Sequence, residues 1–180
     1  MRRLRAIPGI LAGGLLAAAC ASAPEPMAVP AAPGTGVLAS GSAEMVAGPR
    51  PLQCVPYARQ LSGLKIRGDA WTWWRSAEGR FLRSQTPRPG AVLVLRKTQR
   101  LTRGHLAVVT RVIGPREIVA EHANWLNRGR IHRNVPVVDV SPANDWSQVR
   151  LWYVPGGHLG GTVYPAHGFI HPVAVAAASD

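Results

Sequence analysis

Between residues 49 and 155 the apolar positions recur at spacings that define elements, and on either side they do not. Residues 53–62 put Val55, Ala58 and Leu61 on one face at helical spacing. Pro56 falls in the first turn, where its missing N–H removes no helical bond, and Gly63 stops the helix. Asp69 stands as the N-cap of a second helix in which Ala70, Trp73, Trp74 and Ala77 follow three and four residues apart. After Pro87, Pro89 and Gly90 the period changes. Residues 91–95, 105–113, 117–121, 135–140 and 149–154 are short runs rich in Val, Ile and Leu, and they read as strands. Their connections are too short for helical crossovers, so the strands pair antiparallel. Helices first and strands afterwards predict an α+β domain, with N-terminal helices packed on a mostly antiparallel sheet of about five strands.

The flanks have another composition. Residues 21–48 are Ala, Pro, Gly and Ser with few large apolar side chains, too little to offset the entropy of ordering, and they read as a linker. Residues 156–180 return to Gly, Pro, Ala and His and read as a tail. The catalytic domain is therefore expected at 49–155, without internal repeats. At the N-terminus Arg2, Arg3 and Arg5 precede an apolar stretch over 7–19 that is too short to span a bilayer, so residues 1–20 read as a secretory signal peptide. Cys20 follows Leu16-Ala17-Ala18-Ala19, which resembles a lipoprotein box with its Leu one position too far upstream. Two readings stay open: lipid attachment at Cys20, and soluble secretion with cleavage after Ala21-Ser22-Ala23, against which Pro24 counts. Either exports the chain to the periplasm, and the first makes it an outer-membrane lipoprotein.

Charge and cysteine content narrow the function. The net charge is +12, and subtracting Arg2, Arg3 and Arg5 leaves +9 on the exported part, which favours an anionic partner such as wall polymer or membrane surface. Nucleic acid conflicts with export. The chain has two cysteines, Cys20 and Cys54, so processing at Cys20 leaves Cys54 alone in an oxidising compartment. A buried apolar role and a Cys20–Cys54 disulfide are the bland alternatives. Cys54 opens the first predicted helix, where free amides and the helix dipole can lower a thiol pKa from ~8.5 towards ~4–7 and can hold an oxyanion. His105, after Gly104, opens the strand Leu106-Ala107-Val108-Val109 and stands as acid/base. Such a base needs an orienting partner, and Glu121 is the candidate, with Asn124 as the alternative.

These residues lie in an order that resembles a known family. Gln53-Cys54-Val55-Pro56-Tyr57-Ala58, Gly68-Asp69-Ala70-Trp71, Pro89-Gly90-Ala91-Val92, Gly104-His105-Leu106-Ala107-Val108-Val109 and Glu121 with Asn124-Trp125 look like the successive signatures of the CHAP family, the cysteine- and histidine-dependent amidohydrolases and peptidases. The resemblance covers about residues 50–126. It implies a papain-like α+β fold, cleavage of peptidoglycan amide bonds, Cys54 as nucleophile, His105 as base, Glu121 or Asn124 as third member and Gln53 beside the oxyanion. The Glu and Asn stand three apart where the family often has two, and Val55-Pro56 replaces a polar and aromatic pair. Trp71 and Trp125, which stand in these motifs, are the candidate substrate-binding aromatics, although neighbouring tryptophans such as Trp71, Trp73 and Trp74 more often make a core plus one exposed ring.

The basic loop 96–103 leads into His105 and reads either as cleft lining or as a solvated charge run. His158, His167 and His171 lack metal-ligand spacing, and neither metal nor cofactor is expected. The partners implied are peptidoglycan as substrate and a membrane through lipid at Cys20, with the chain acting as a monomer. An NlpC-type peptidase, with a second His as third member and Asp before the Cys, is the rival enzyme. A non-catalytic basic envelope lipoprotein is the rival from another class.

Overall fold

The computed structural model describes residues 42–126 and 128–175. The segment read as a signal peptide, Cys20 and most of the segment read as a linker lie outside the described residues. Among those described, nine strands form: β1 (Glu44–Val46), β2 (Phe81–Ser84), β3 (Val92–Leu95), β4 (His105–Gly114), β5 (Glu117–Ala123), β6 (Ile131–Asp139), β7 (Gln148–Tyr153), β8 (His158–Leu159) and β9 (Tyr164–Ala174). Two short helices join them, α1 (Cys54–Ser62) and α2 (Trp73–Ser76), the latter entered through a 3-10 turn at Ala70–Thr72. β3 pairs with β4, β4 with β5, β5 with β6, β6 with β7, β7 with β9 and β9 with β3, all antiparallel. The ring closes. The expected α+β papain-like arrangement of helices on an open five-strand sheet is therefore corrected to a closed six-stranded β-barrel with three added strands.

Two features produced the closure, and neither is a local pattern. The segment read as a C-terminal tail supplies β9, whose Phe169 and Ile170 sit opposite Leu93 and Val92. Three pairs between β6 and β7, Val137 with Leu151 among them, complete the circle. Closing a sheet leaves no central edge that needs covering. Two tail histidines are built in: His171 is buried with its Nε2 2.8 Å from Ser84 Oγ, and His167 stacks on Trp74.

Strand alternation divides the core. Leu93 and Leu95 on β3 and Ala107 and Val109 on β4 fill the barrel with Phe169, while Val92, Val94, Leu106 and Val108 face outward beneath α1 and α2. That is why the Val92-Leu93-Val94-Leu95 run is apolar at every position. Trp73 is fully buried in the outer layer and Trp71 is exposed, as expected of neighbouring tryptophans. The second helix is shorter than its pattern predicts. Asp69 makes no side-chain cap bond, because its carboxylate is taken by Arg103 across the cleft.

Candidate active site

α1 starts where Gln53 is still extended, so Cys54 is its first helical residue and the amides of the first turn are unpaired by the helix. Gly63 ends it in the left-handed region, its N–H donating to the Arg59 carbonyl at 3.0 Å. The outer face of β4 and β5 supports α1, which brings Cys54 to the barrel rim where β4 begins. Cys54 and His105 line one open cavity of about 490 Å³, together with Gln53, Asn124 and Trp125. The loop 96–103 contributes Arg100 and Arg103 to its wall. Gly104 returns that loop to β4 at φ 67°, with its Cα so close to the backbone of Trp71 and Leu95 that a Cβ would lie 2.7 Å from Trp71 N. Only glycine fits there.

His105 and Glu121 are separated by the barrel wall. The register pairs Glu121 with Val108, an outward-facing residue, so the carboxylate lies beneath α1 and accepts a 2.5 Å hydrogen bond from Tyr57 Oη. Arg133 is 3.9 Å away on the same side. His105 shares the inward face with Ala107, and on β5 that face belongs to Ala120 and His122. His105 Nε2 lies 2.9 Å from His122 Nδ1, both rings buried. The structure thus places His122, a residue the sequence reading passed over, where Glu121 was expected. Counting parity on β4 and β5 together would have found it, had the register between them been known.

Behind His122, directly opposite on β6, His132 stacks at 5.0 Å between centroids. Trp125 covers the assembly, its ring 4.7 Å from His105 and 5.4 Å from His122. An aromatic lid of this kind keeps water off the imidazole hydrogen bond and strengthens it. Asn124, at φ 61°, does not reach His105. Its Nδ2 donates to Gln53 Oε1 at 2.7 Å and its Oδ1 accepts the Gly129 N–H at 2.8 Å. That bond occupies the Gln53 oxygen and leaves the Gln53 amide nitrogen for another acceptor. Trp71 lies beside Gly104 with Lys97 over its ring, and only Trp125 of the two candidate aromatics lines the cavity.

The electrostatics differ from the sequence expectation of a lowered thiol pKa. Burial pushes the Cys54 thiol up, and the amides of Leu106, Val55 and Cys54 with the charge of Arg103 only oppose it. Burial also lowers His105 to about 3, and holds His122 well below the usual imidazole range. The His122 and His132 Nε2 atoms are buried without a hydrogen-bond partner among the described residues, so an added proton there would be unsolvated. At rest the cavity is lined by a neutral thiol and a neutral imidazole. Among the described residues no cluster of His, Cys, Asp or Glu is arranged to hold a metal ion.

Two substitutions separate the roles of the β5 side chains. His122→Phe should lower activity at the Cys54 site by about 10²-fold, the scale of a lost base orientation, whereas Glu121→Gln should stay within about threefold and lose about 1 kcal/mol of stability from the Tyr57 bond. The reverse ranking in kcat/KM would return the orienting role to Glu121.

A family model described as the CHAP domain fits residues 45–124, from β1 to the end of β5, and no curated protein matches the chain. The matched stretch holds Gln53, Cys54, His105, His122 and Asn124, the residues gathered at the barrel rim. Over residues 45–124 the chain is similar to the CHAP domain, whose members are generally amidohydrolase and peptidase domains.

Proposed function

We propose that the protein is an exported cysteine amidase or endopeptidase that cleaves amide bonds of peptidoglycan. The observation that carries the reading is the His105–His122 hydrogen bond at the wall of the cavity that also holds Cys54. The reading requires the tautomer in which the shared proton sits on His105 Nε2 and is donated to His122 Nδ1, which leaves His105 Nδ1 as an acceptor and puts the His122 proton on its own Nε2. Cys54 attacks the carbonyl carbon as its thiol proton passes to His105 Nδ1, and amides at the start of α1 with the Gln53 amide nitrogen hold the oxyanion. The imidazolium then protonates the leaving amine, the C–N bond breaks, and water activated by His105 releases the acyl group from sulfur. His122 as the orienting group is the arrangement set out above for NlpC-type enzymes, placed here behind Gln53 rather than Asp.

Because the resting thiol is protonated, alkylation of Cys54 by iodoacetamide should climb steadily from pH 6 to pH 9 and should not level off below neutrality. A plateau beginning near pH 5 would mean a preformed thiolate and imidazolium, contrary to the burial of both groups. The function itself is tested by incubating purified peptidoglycan with the protein and identifying released fragments by mass spectrometry. Free amine termini on stem peptides support amide cleavage and identify the bond, and an unchanged polymer refutes it.

A further inference from the structure

A second hollow of about 310 Å³ opens beside the catalytic cavity, lined by Thr98, Gln99, Arg100, Thr162, Val163 and Tyr164. The two share walls. Arg100 lines both, and Tyr164 packs against Trp125, centroids 5.0 Å apart. The corner that carries Arg100 is fixed: Thr98 N–H donates to the Leu101 carbonyl at 3.1 Å, and Leu101 N–H to Thr98 Oγ1 at 3.0 Å. The charges lining the catalytic cavity are Asp69, Arg100 and Arg103. Asp69 is taken by Arg103, whereas Arg100 has no hydrogen bond or ion pair among the described residues. A side chain that lines both hollows and lacks an internal carboxylate leaves its paired guanidinium donors for a ligand, and that fork matches a carboxylate.

We infer that this second hollow is a substrate subsite in which Arg100 binds a free carboxylate next to the scissile amide, so that the substrates are acidic peptides rather than amidated ones. The inference rests on the proposed amide hydrolysis and adds a requirement to it. The probes are stem peptides released from peptidoglycan, native or with their carboxylates converted to carboxamides by carbodiimide and ammonia, a treatment that leaves phosphate groups charged. The full chain carrying Cys54→Ala should bind the native peptides about tenfold more tightly than the amidated ones, the low end for a charge-assisted hydrogen bond at a solvent-open site. Adding Arg100→Gln should bring the two within about twofold, and Arg100→Lys should keep part of the difference. Equal affinities before the Arg100 change, or a preference that survives Arg100→Gln, would overturn the subsite. Hydrolysis is measured separately on the unsubstituted protein. Carboxylate preference without cleavage would sink the hydrolase reading and leave the pocket, and cleavage without preference would do the opposite.

Discussion

Replacing Cys54 by Ala is expected to lower the proposed peptidoglycan hydrolysis by about 10⁴-fold or more while the barrel stays folded. The size follows from the covalent step: without sulfur there is no acyl intermediate, and only binding and the oxyanion donors remain. The retained fold follows from position. Cys54 is half-buried on the first turn of α1, packed against the outer layer, and Ala keeps that backbone while leaving the barrel interior untouched. Cys54→Ser is expected to fail nearly as badly, because a hydroxyl is a far weaker acid than a thiol and His105, lowered to about 3, is a weak base to accept its proton. Fragment release from purified wall, read beside the circular dichroism and urea midpoint of each variant, checks both. Hydrolysis that persists in a folded Cys54→Ala protein would sink the nucleophile assignment.

The second large effect is a loss of stability in mild acid. His105 and His122 are neutral in the fold because burial disfavours the imidazolium. Above pH ~6.5 the unfolded rings are neutral too, and nothing depends on pH. Below it the unfolded chain binds protons that the folded chain refuses, so stability falls with pH until the folded rings titrate, about pH 3 for His105. Between pH 7 and pH 5 each such ring costs about 2 kcal/mol, and the pair about 4 kcal/mol, a large part of the 5–15 kcal/mol typical of a domain.

Groups around the pair act mostly in the same direction. His132, lowered by burial and then by Arg130, adds to the effect, as do His167 and His171. Glu117, raised by burial, opposes it as a single group. Asp69 and Asp145 are held low by hydrogen bonds, and their contribution is lost only below pH ~4, outside this window. Urea unfolding at pH 7 and pH 5 measures the difference, and His122→Phe should shrink it by about 2 kcal/mol. A flat profile over that range would mean that the two rings are hydrated in the folded protein.

Local patterns in the chain were enough for α1, for the strands β3 to β7 and for Cys54 and His105 at the starts of their elements. Helical spacing, a Pro tolerated in a first turn, a Gly stop and runs of Val, Ile and Leu are properties of neighbouring residues, so they can be read without knowing what packs where. The same reasoning failed over 164–174. Tyr164-Pro165-Ala166-His167-Gly168 has no strand composition, yet Gly168 is required there because a Cβ would lie 2.6 Å from the Ser84 carbonyl oxygen. Composition signalled looseness where the fold needed close approach.

The third member of the site shows the same division at the scale of one residue. Glu121 and His122 are adjacent, and alternation guarantees that they face opposite sides of β5. Which side looks at His105 depends on the register between β5 and β4, and register is set by the barrel as a whole. The thiol pKa behaves likewise, because a helix start is visible in sequence and the burial that outweighs it is not. The sequence by itself determined where Cys54 and His105 begin their elements, since capping and periodicity are local. The tertiary structure alone decided that the sheet closes, that His122 rather than Glu121 meets His105, and that the pair rests neutral, because pairing, register and desolvation join residues far apart in the chain.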